Sequence, residues 1–134
     1  MNKKLLVVIV GIILTTLGAL SVHAQDLKAI LLKPANGWVL EWSNPDTGNR
    51  GLTEAVFEDR GGKVVAKLYI ADVGAVSAPV RNCERDVTLT SDTISFDLCR
   101  DSGLVLIVDP RDAVYPLKSM KRSNNGYLWK GKVK

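Results

Sequence analysis

Apolar and polar residues alternate with a period of two through most of the chain beyond residue 25, the pattern of half-buried β-strands. In Trp38-Val39-Leu40-Glu41-Trp42, residues Trp38, Leu40 and Trp42 share one face. Asn44-Pro45-Asp46-Thr47-Gly48-Asn49 then gathers residues that favour turns. Leu52 to Asp59 predicts a second strand, with Thr53, Ala55 and Phe57 on one face and Glu54, Val56 and Glu58 on the other. Arg60-Gly61-Gly62 turns the chain into Lys63 to Ala71, where Val64, Ala66, Leu68 and Ile70 alternate with Lys63, Val65, Lys67 and Tyr69. Two alternating runs across a Gly-Gly turn are a hairpin signal.

The same pattern continues downstream. Val87-Thr88-Leu89 and Ile94 to Leu98 flank the polar loop Thr90-Ser91-Asp92-Thr93. Arg100 to Gly103 turns into Leu104-Val105-Leu106-Ile107-Val108, an unbroken apolar run expected to be buried on both faces. Asp109-Pro110-Arg111-Asp112 ends it. Ala113 to Met120 and Tyr127 to Val133 form a last pair across Ser123-Asn124-Asn125-Gly126. The expectation is an all-β domain of seven to eight strands, a small antiparallel up-and-down barrel or a sandwich, with one disulfide. Only Asp26-Leu27 through Leu31, before Pro34, admits one or two helical turns, and an edge strand fits there equally.

The start of the chain follows another rule. Met1-Asn2-Lys3-Lys4 is basic, Leu5 to Leu17 is apolar, and Ser21-Val22-His23-Ala24 presents small residues at a cleavage site. Residues 1–24 therefore read as a secretory signal peptide, leaving a single domain over residues 25–134. The apolar stretch falls short of the ~20 residues that span a bilayer. Gln25, where a lipid anchor would need cysteine, speaks against lipidation. The expected location is periplasmic or secreted. The formal charge of +4 loses Lys3 and Lys4 with the leader, and the only histidine, His23, leaves too.

That compartment is oxidising, so Cys83 and Cys99 are expected to be joined. Two thiols without histidine make a poor zinc site, and the pair is not a C-x-x-C redox motif. Hairpin register resists the bond, however. Pairing Leu89 with Ile94 sets Cys83 opposite Arg100 and turns the cysteines to opposite faces. Either a bulge near Glu84–Asp86, or Cys83 in a loop before its strand, is predicted to restore the approach.

Three segments resemble a known group. Gly37-Trp38-Val39-Leu40-Glu41-Trp42-Ser43-Asn44, the hairpin Phe57-Glu58-Asp59-Arg60-Gly61-Gly62-Lys63-Val64 and the closing Tyr127-Leu128-Trp129-Lys130-Gly131 are similar to those of small avidin- or lipocalin-like (calycin-like) secreted barrels. The family start is Gly-x-Trp, and Leu40 stands here where the glycine before Trp42 would be. The resemblance implies an up-and-down barrel with a ligand at its open end, and no particular ligand.

Without histidine beyond residue 24, Ser-His-Asp, Cys-His and most metal-hydrolase designs are excluded. Glu54 and Glu58 share a strand face, so a two-carboxylate hydrolase is conceivable, but solvated outer-face charges explain them as well. The Asn44–Asn49 cluster lacks the acidic pattern of a calcium loop and reads as a turn. Gly61-Gly62 does not open a phosphate loop. Neither metal nor cofactor is expected.

Two features stand out. Residues 25–110 carry 9 basic and 13 acidic groups, whereas residues 111–134 carry 7 basic groups against Asp112 alone. Lys118, Lys121, Arg122, Lys130, Lys132 and Lys134 make a candidate basic patch for phosphate on anionic lipid head groups or an acidic polymer; nucleic acid is not expected. The competing reading is that outward lysines guard an edge strand. The second feature is aromatic: Trp38, Trp42, Tyr69 and Trp129 are candidate ligand contacts or core fillers. The small, apolar stretch from Asp72 to Val80 would be a loop over the mouth or a crossover. The leading expectation is a secreted, non-catalytic binding module for a sugar, lipid or small apolar molecule. The alternative is an envelope protein-interaction or inhibitor module that uses the basic C-terminal strands.

Overall fold

The computed structural model describes residues 24–70, 81–99, 103–123 and 126–134. Most of the leader, the Asp72–Val80 stretch and parts of the turns at 100–103 and 123–126 lie outside the described residues. Among the described residues one helix, α1 (Ala24–Leu32), precedes nine strands: β1 (Trp38–Ser43), β2 (Arg50–Arg60), β3 (Lys63–Ile70), β4 (Arg81–Asp86), β5 (Thr88–Leu89), β6 (Ile94–Phe96), β7 (Leu104–Val108), β8 (Leu117–Ser119) and β9 (Leu128–Val133).

All nine form one antiparallel sheet in the order β4-β3-β2-β1-β9-β8-β7-β6-β5. Every neighbour in that order is also a neighbour in sequence, except β1 and β9, which pair over six rungs from Trp38↔Val133 to Ser43↔Leu128. Because β4 and β5 are separated only by Val87, the two ends of the sheet meet and the barrel is nearly closed. It is an up-and-down barrel rather than a sandwich, with one strand more than expected. β4 is that addition. Arg-Asn-Cys-Glu-Arg-Asp has no apolar alternation, and it becomes a strand by pairing with β3, Leu68 opposite Cys83.

Parity sets the inside. Trp38 and Leu40 of β1, Thr53, Ala55 and Phe57 of β2, Val64, Ala66 and Leu68 of β3, and Leu104 and Leu106 of β7 are buried. They pack with Ile94, Phe96, Leu98 and Leu117 into one core. β7 departs from expectation, since Val105 and Ile107 are only half-buried and the strand alternates like the others. Gly131 is a constraint of this packing: a Cβ there would lie 2.8 Å from Leu40 and 3.0 Å from Leu117.

The region from Asp26 to Leu31 is helix and not edge strand. Leu27 and Leu31, spaced four apart, put one stripe into the core, each at most 1% exposed. The Trp38 indole N–H donates to the Leu31 carbonyl at 3.1 Å, and Lys28 pairs with Asp59 at 2.7 Å. Pro34 sits just past the helix end, and Gly37, at φ 79°, turns the chain into β1 where a Cβ would overlap the Ala55 carbonyl. α1 thus seals the end of the barrel at which β1 begins.

Two shorter expectations are revised. Ala113 to Pro116 is not strand, because the Asp112 carboxylate accepts the backbone N–H groups of Val114 (3.1 Å) and Tyr115 (2.8 Å) and holds a loop. The last strand is not at an edge either. β9 is bonded to β1 on one side and β8 on the other, so its lysines guard no free edge.

Cys83 and Cys99 are joined, with Cα atoms 5.7 Å apart. The β5–β6 ladder keeps the expected Leu89↔Ile94 register for two rungs only. At Val87, whose N–H donates to the Val64 carbonyl at 2.9 Å, the chain changes partner from β3 to β6. The irregularity is therefore this change of partner at Val87, one residue past the predicted bulge, with Cys83 inside β4 and not in a loop. Cys83 lies opposite Leu68 on the inner face and packs against the core, as Cys99 does. The bond crosses the seam where β4 and the segment after β6 have no ladder between them.

Removing both sulfurs (Cys83→Ser with Cys99→Ser) should cost about 3 kcal/mol for a loop of this size. On thermal melting that is a Tm lower by on the order of 10 °C. A melt unchanged within about a degree would show that the seam is held without the bond.

Candidate functional site

The four candidate aromatics do not converge. Trp38 is 2% exposed at the end sealed by α1, where its indole holds the helix. Tyr69, opposite Glu54 and Asn82, faces outward with Lys67. Trp42 and Trp129 are a cross-strand pair on the inner face near the other end of the barrel. The Trp42 ring packs at 4.6 Å on Tyr127 and lies over Gly51, where a Cβ would overlap it. Trp129 is buried, its backbone N–H donates to Ser119 Oγ at 2.9 Å, and its indole N–H has no acceptor among the described residues. These rings fill the upper barrel.

The wall carries concavities on its outside, a shallower one of about 360 Å³ beside Tyr69 among them. An open groove of about 490 Å³ is lined by Glu41, Trp42, Ser43, Arg50, Gly51, Leu52 and Lys130. Parity places the side chains of Glu41, Ser43, Arg50, Leu52 and Lys130 on the outer face of β1, β2 and β9, around the cross-strand pair Trp42–Gly51. Leu52 supplies an apolar wall, 39% exposed. The Arg50 guanidinium has no ion pair or side-chain hydrogen bond among the described residues, although its backbone pairs with Ser43 in the ladder. Lys130 is held loosely, its Nζ 3.9 Å from Glu41 and 4.2 Å from the centre of the Tyr115 ring.

The candidate basic patch is largely matched by carboxylates from elsewhere in the chain. Lys118 pairs with Asp112 at 2.8 Å and Asp109 at 3.5 Å, and Arg122 with Asp46 at 2.7 Å. Lys132 approaches Glu41 at 3.6 Å, and Lys134 pairs with Glu54 at 2.7 Å. Only Lys121 of the six has no partner among the described residues. The same contacts occupy the carboxylates weighed for other chemistry. Glu54 holds Lys134, Glu58 holds Lys67 at 2.9 Å, and Asp46 holds Arg122. Asn44 Oδ1 accepts from the Asp46 and Thr47 backbones, which makes Asn44–Asn49 a side-chain-closed turn. Among the described residues no three His, Cys, Asp or Glu side chains gather as a metal site.

A second ionic cluster covers the outer face of β2, β3 and β4. Arg60 bridges Glu58 at 3.2 Å and Glu84 at 2.8 Å, and Lys63 pairs with Asp86 at 2.8 Å. Hydrogen bonds from Lys67, then Arg60, hold the Glu58 carboxyl below its ordinary 4.5. Lys28 and the Gly62 backbone do the same for Asp59, and Arg60 for Glu84. The Arg111 backbone N–H lowers Asp109, and Lys118 lowers Asp112.

Sequence reasoning missed Arg50, Gly51, Leu52 and Glu41 as members of a site. The available signal was the alternation itself, since extending the strand two residues upstream of Leu52 puts Arg50 and Leu52 on the same outer face. Arg85 was also unforeseen: it points inward opposite Ala66, and its Nε is buried without an acceptor. Comparison with protein-family models, curated proteins and solved structures found no match, so the groove is interpreted by its own chemistry.

The lowered carboxyls fix the sign of the pH response. A group whose folded pKa is depressed adds stability that is complete above its unfolded value and lost as pH falls through the folded one. Tm should therefore be level from neutral pH down to about 5 and decline below about 4, and added salt should shrink the decline. Thermal melts across that range check it, and a decline centred near pH 6 would contradict it.

Proposed function

We propose that the protein is a secreted, non-catalytic binding module whose ligand, a small organic molecule, sits in the outer groove between β2, β1 and β9. The observation that carries this reading is the groove of about 490 Å³ itself, a volume suited to a small ligand, combining an apolar wall at Leu52 with polar groups at Glu41, Ser43, Arg50 and Lys130. A few polar groups placed around an apolar wall are what fixes the orientation of a small ligand. The barrel interior is a weaker place for it, because Trp42, Tyr127 and Trp129 fill the inner face at the end away from α1. The non-catalytic character rests on the absence of histidine beyond residue 24 and on the pairing of Glu54 and Glu58 with lysines. The nearly closed up-and-down barrel is the architecture that a calycin-like resemblance implies, and it supports a binding role in that general sense. An interaction surface on the basic C-terminal strands has less support, because most of its cations are already matched.

A panel of saccharides, fatty acids and small aromatic compounds added to the purified mature chain should raise Tm for at least one class. A ligand at about a hundred times its Kd adds about 2.7 kcal/mol, or on the order of 10 °C. Ser43→Trp, which fills the groove from an exposed position, should abolish the shift. Absence of any shift across the whole panel would remove the reading. Secretion is checked separately: protein recovered from the periplasm or medium should have an intact mass lacking residues 1–24, and retention of the leader would refute it.

A further inference from the structure

Resting on the groove as binding site, we infer that its ligand is an amphipathic organic anion, with the anionic group held by Arg50 and Lys130 and the apolar part laid against Leu52. Four of the cations along this wall are already committed to carboxylates. Lys118, Arg122 and Lys134 hold Asp112, Asp46 and Glu54 at 2.7–2.8 Å, and Lys132 leans on Glu41 at 3.6 Å. The two cations that line the groove differ. The Arg50 guanidinium has no partner among the described residues, and the Lys130–Glu41 separation of 3.9 Å is the longest of the set. Glu41 is a single carboxylate shared between Lys130 and Lys132, so it cannot also neutralise Arg50. The groove therefore carries surplus positive charge where the wall around it is balanced.

Three features turn that surplus into selectivity. A guanidinium offers a planar fork of donors that meets a carboxylate, sulfonate or phosphate through two parallel hydrogen bonds. A concave site beside an apolar side chain screens such a pair less than open water does. Leu52 at 39% exposure gives the apolar part of the ligand a surface to cover. A neutral sugar would leave the Arg50 charge unanswered, and a purely apolar molecule would bury it at a cost.

The experiment uses two probes with the same skeleton on the mature chain. 1-Anilinonaphthalene-8-sulfonate carries an anionic group; N-phenyl-1-naphthylamine lacks it. Fluorescence titration should show saturable sulfonate binding at least about tenfold tighter than the neutral probe, weakening with added salt. Arg50→Ala should remove about tenfold of the sulfonate affinity and leave the neutral probe unchanged. Arg50→Lys should restore only part, because it keeps the charge and loses the fork. Unchanged Tm in both variants shows that the effect is local. Equal binding of the two probes, indifferent to Arg50→Ala but lost in Ser43→Trp, would overturn the anion inference and leave the binding module standing. Failure of both probes to bind would overturn the inference together with the groove as a site.

Discussion

The ladder between β1 and β9 is the contact on which the molecule depends. Its six rungs join residues roughly ninety positions apart, and among the described residues they are the only link in the sheet between strands that are not sequence neighbours. On one side of it β1 to β4 form a meander, and on the other β5 to β9 form a second. The ladder turns two open sheets into one nearly closed wall. On its inner face it sets Trp42 beside Trp129 and brings Gly131 under Leu40. On its outer face it sets Lys130 opposite Glu41, completing the groove begun by Arg50 and Leu52. At the far end of the barrel the core is sealed by Leu27 and Leu31, and at the seam by Cys83–Cys99.

The same ladder changes the meaning of charge in this chain. Residues 111–134 are strongly basic along the sequence, yet β9 is inserted beside β1, whose Glu41 receives two of its lysines, and near β2, whose Glu54 receives Lys134 just past its end. Lys118 and Arg122 find partners in flanking loops. Segregation along the chain becomes alternation on the surface. Individually such exposed pairs contribute little, but together they remove most of the potential that an unpaired ridge would have. What is left over is local, and it lies at Arg50 and Lys130.

Legibility followed the range of the interactions. The hairpin from β2 to β3 was readable because its alternation and its Gly-Gly turn lie in one stretch of sequence. The disulfide was readable from redox chemistry, and even its conflict with hairpin register was visible from parity. β4 was not, since Arg81–Asp86 carries no apolar period and is a strand only because β3 offers it a partner. The short helix was ambiguous because two buried leucines four apart fit either a helical stripe or a strand end. The groove was out of reach, because it needs β9 beside β1 and no local pattern specifies that neighbour. Reading the lysines of β9 as guards of an edge failed for the same reason.

Sheet order also has a kinetic side. The strand that joins the two meanders follows all the other described strands in the chain, and the rungs it must form are the most non-local in the molecule. Loop-closure entropy opposes such contacts until they are made, so topologies of this kind fold slowly compared with local ones. Until β9 docks, β1 and β8 each present an unpaired edge, and β1 offers Trp38, Leu40 and Trp42 beside it. Exposed edges with apolar side chains are templates for intermolecular pairing. The interval before closure is thus the period in which this chain is most prone to aggregate, and its length is set by how soon the ninth strand finds the first.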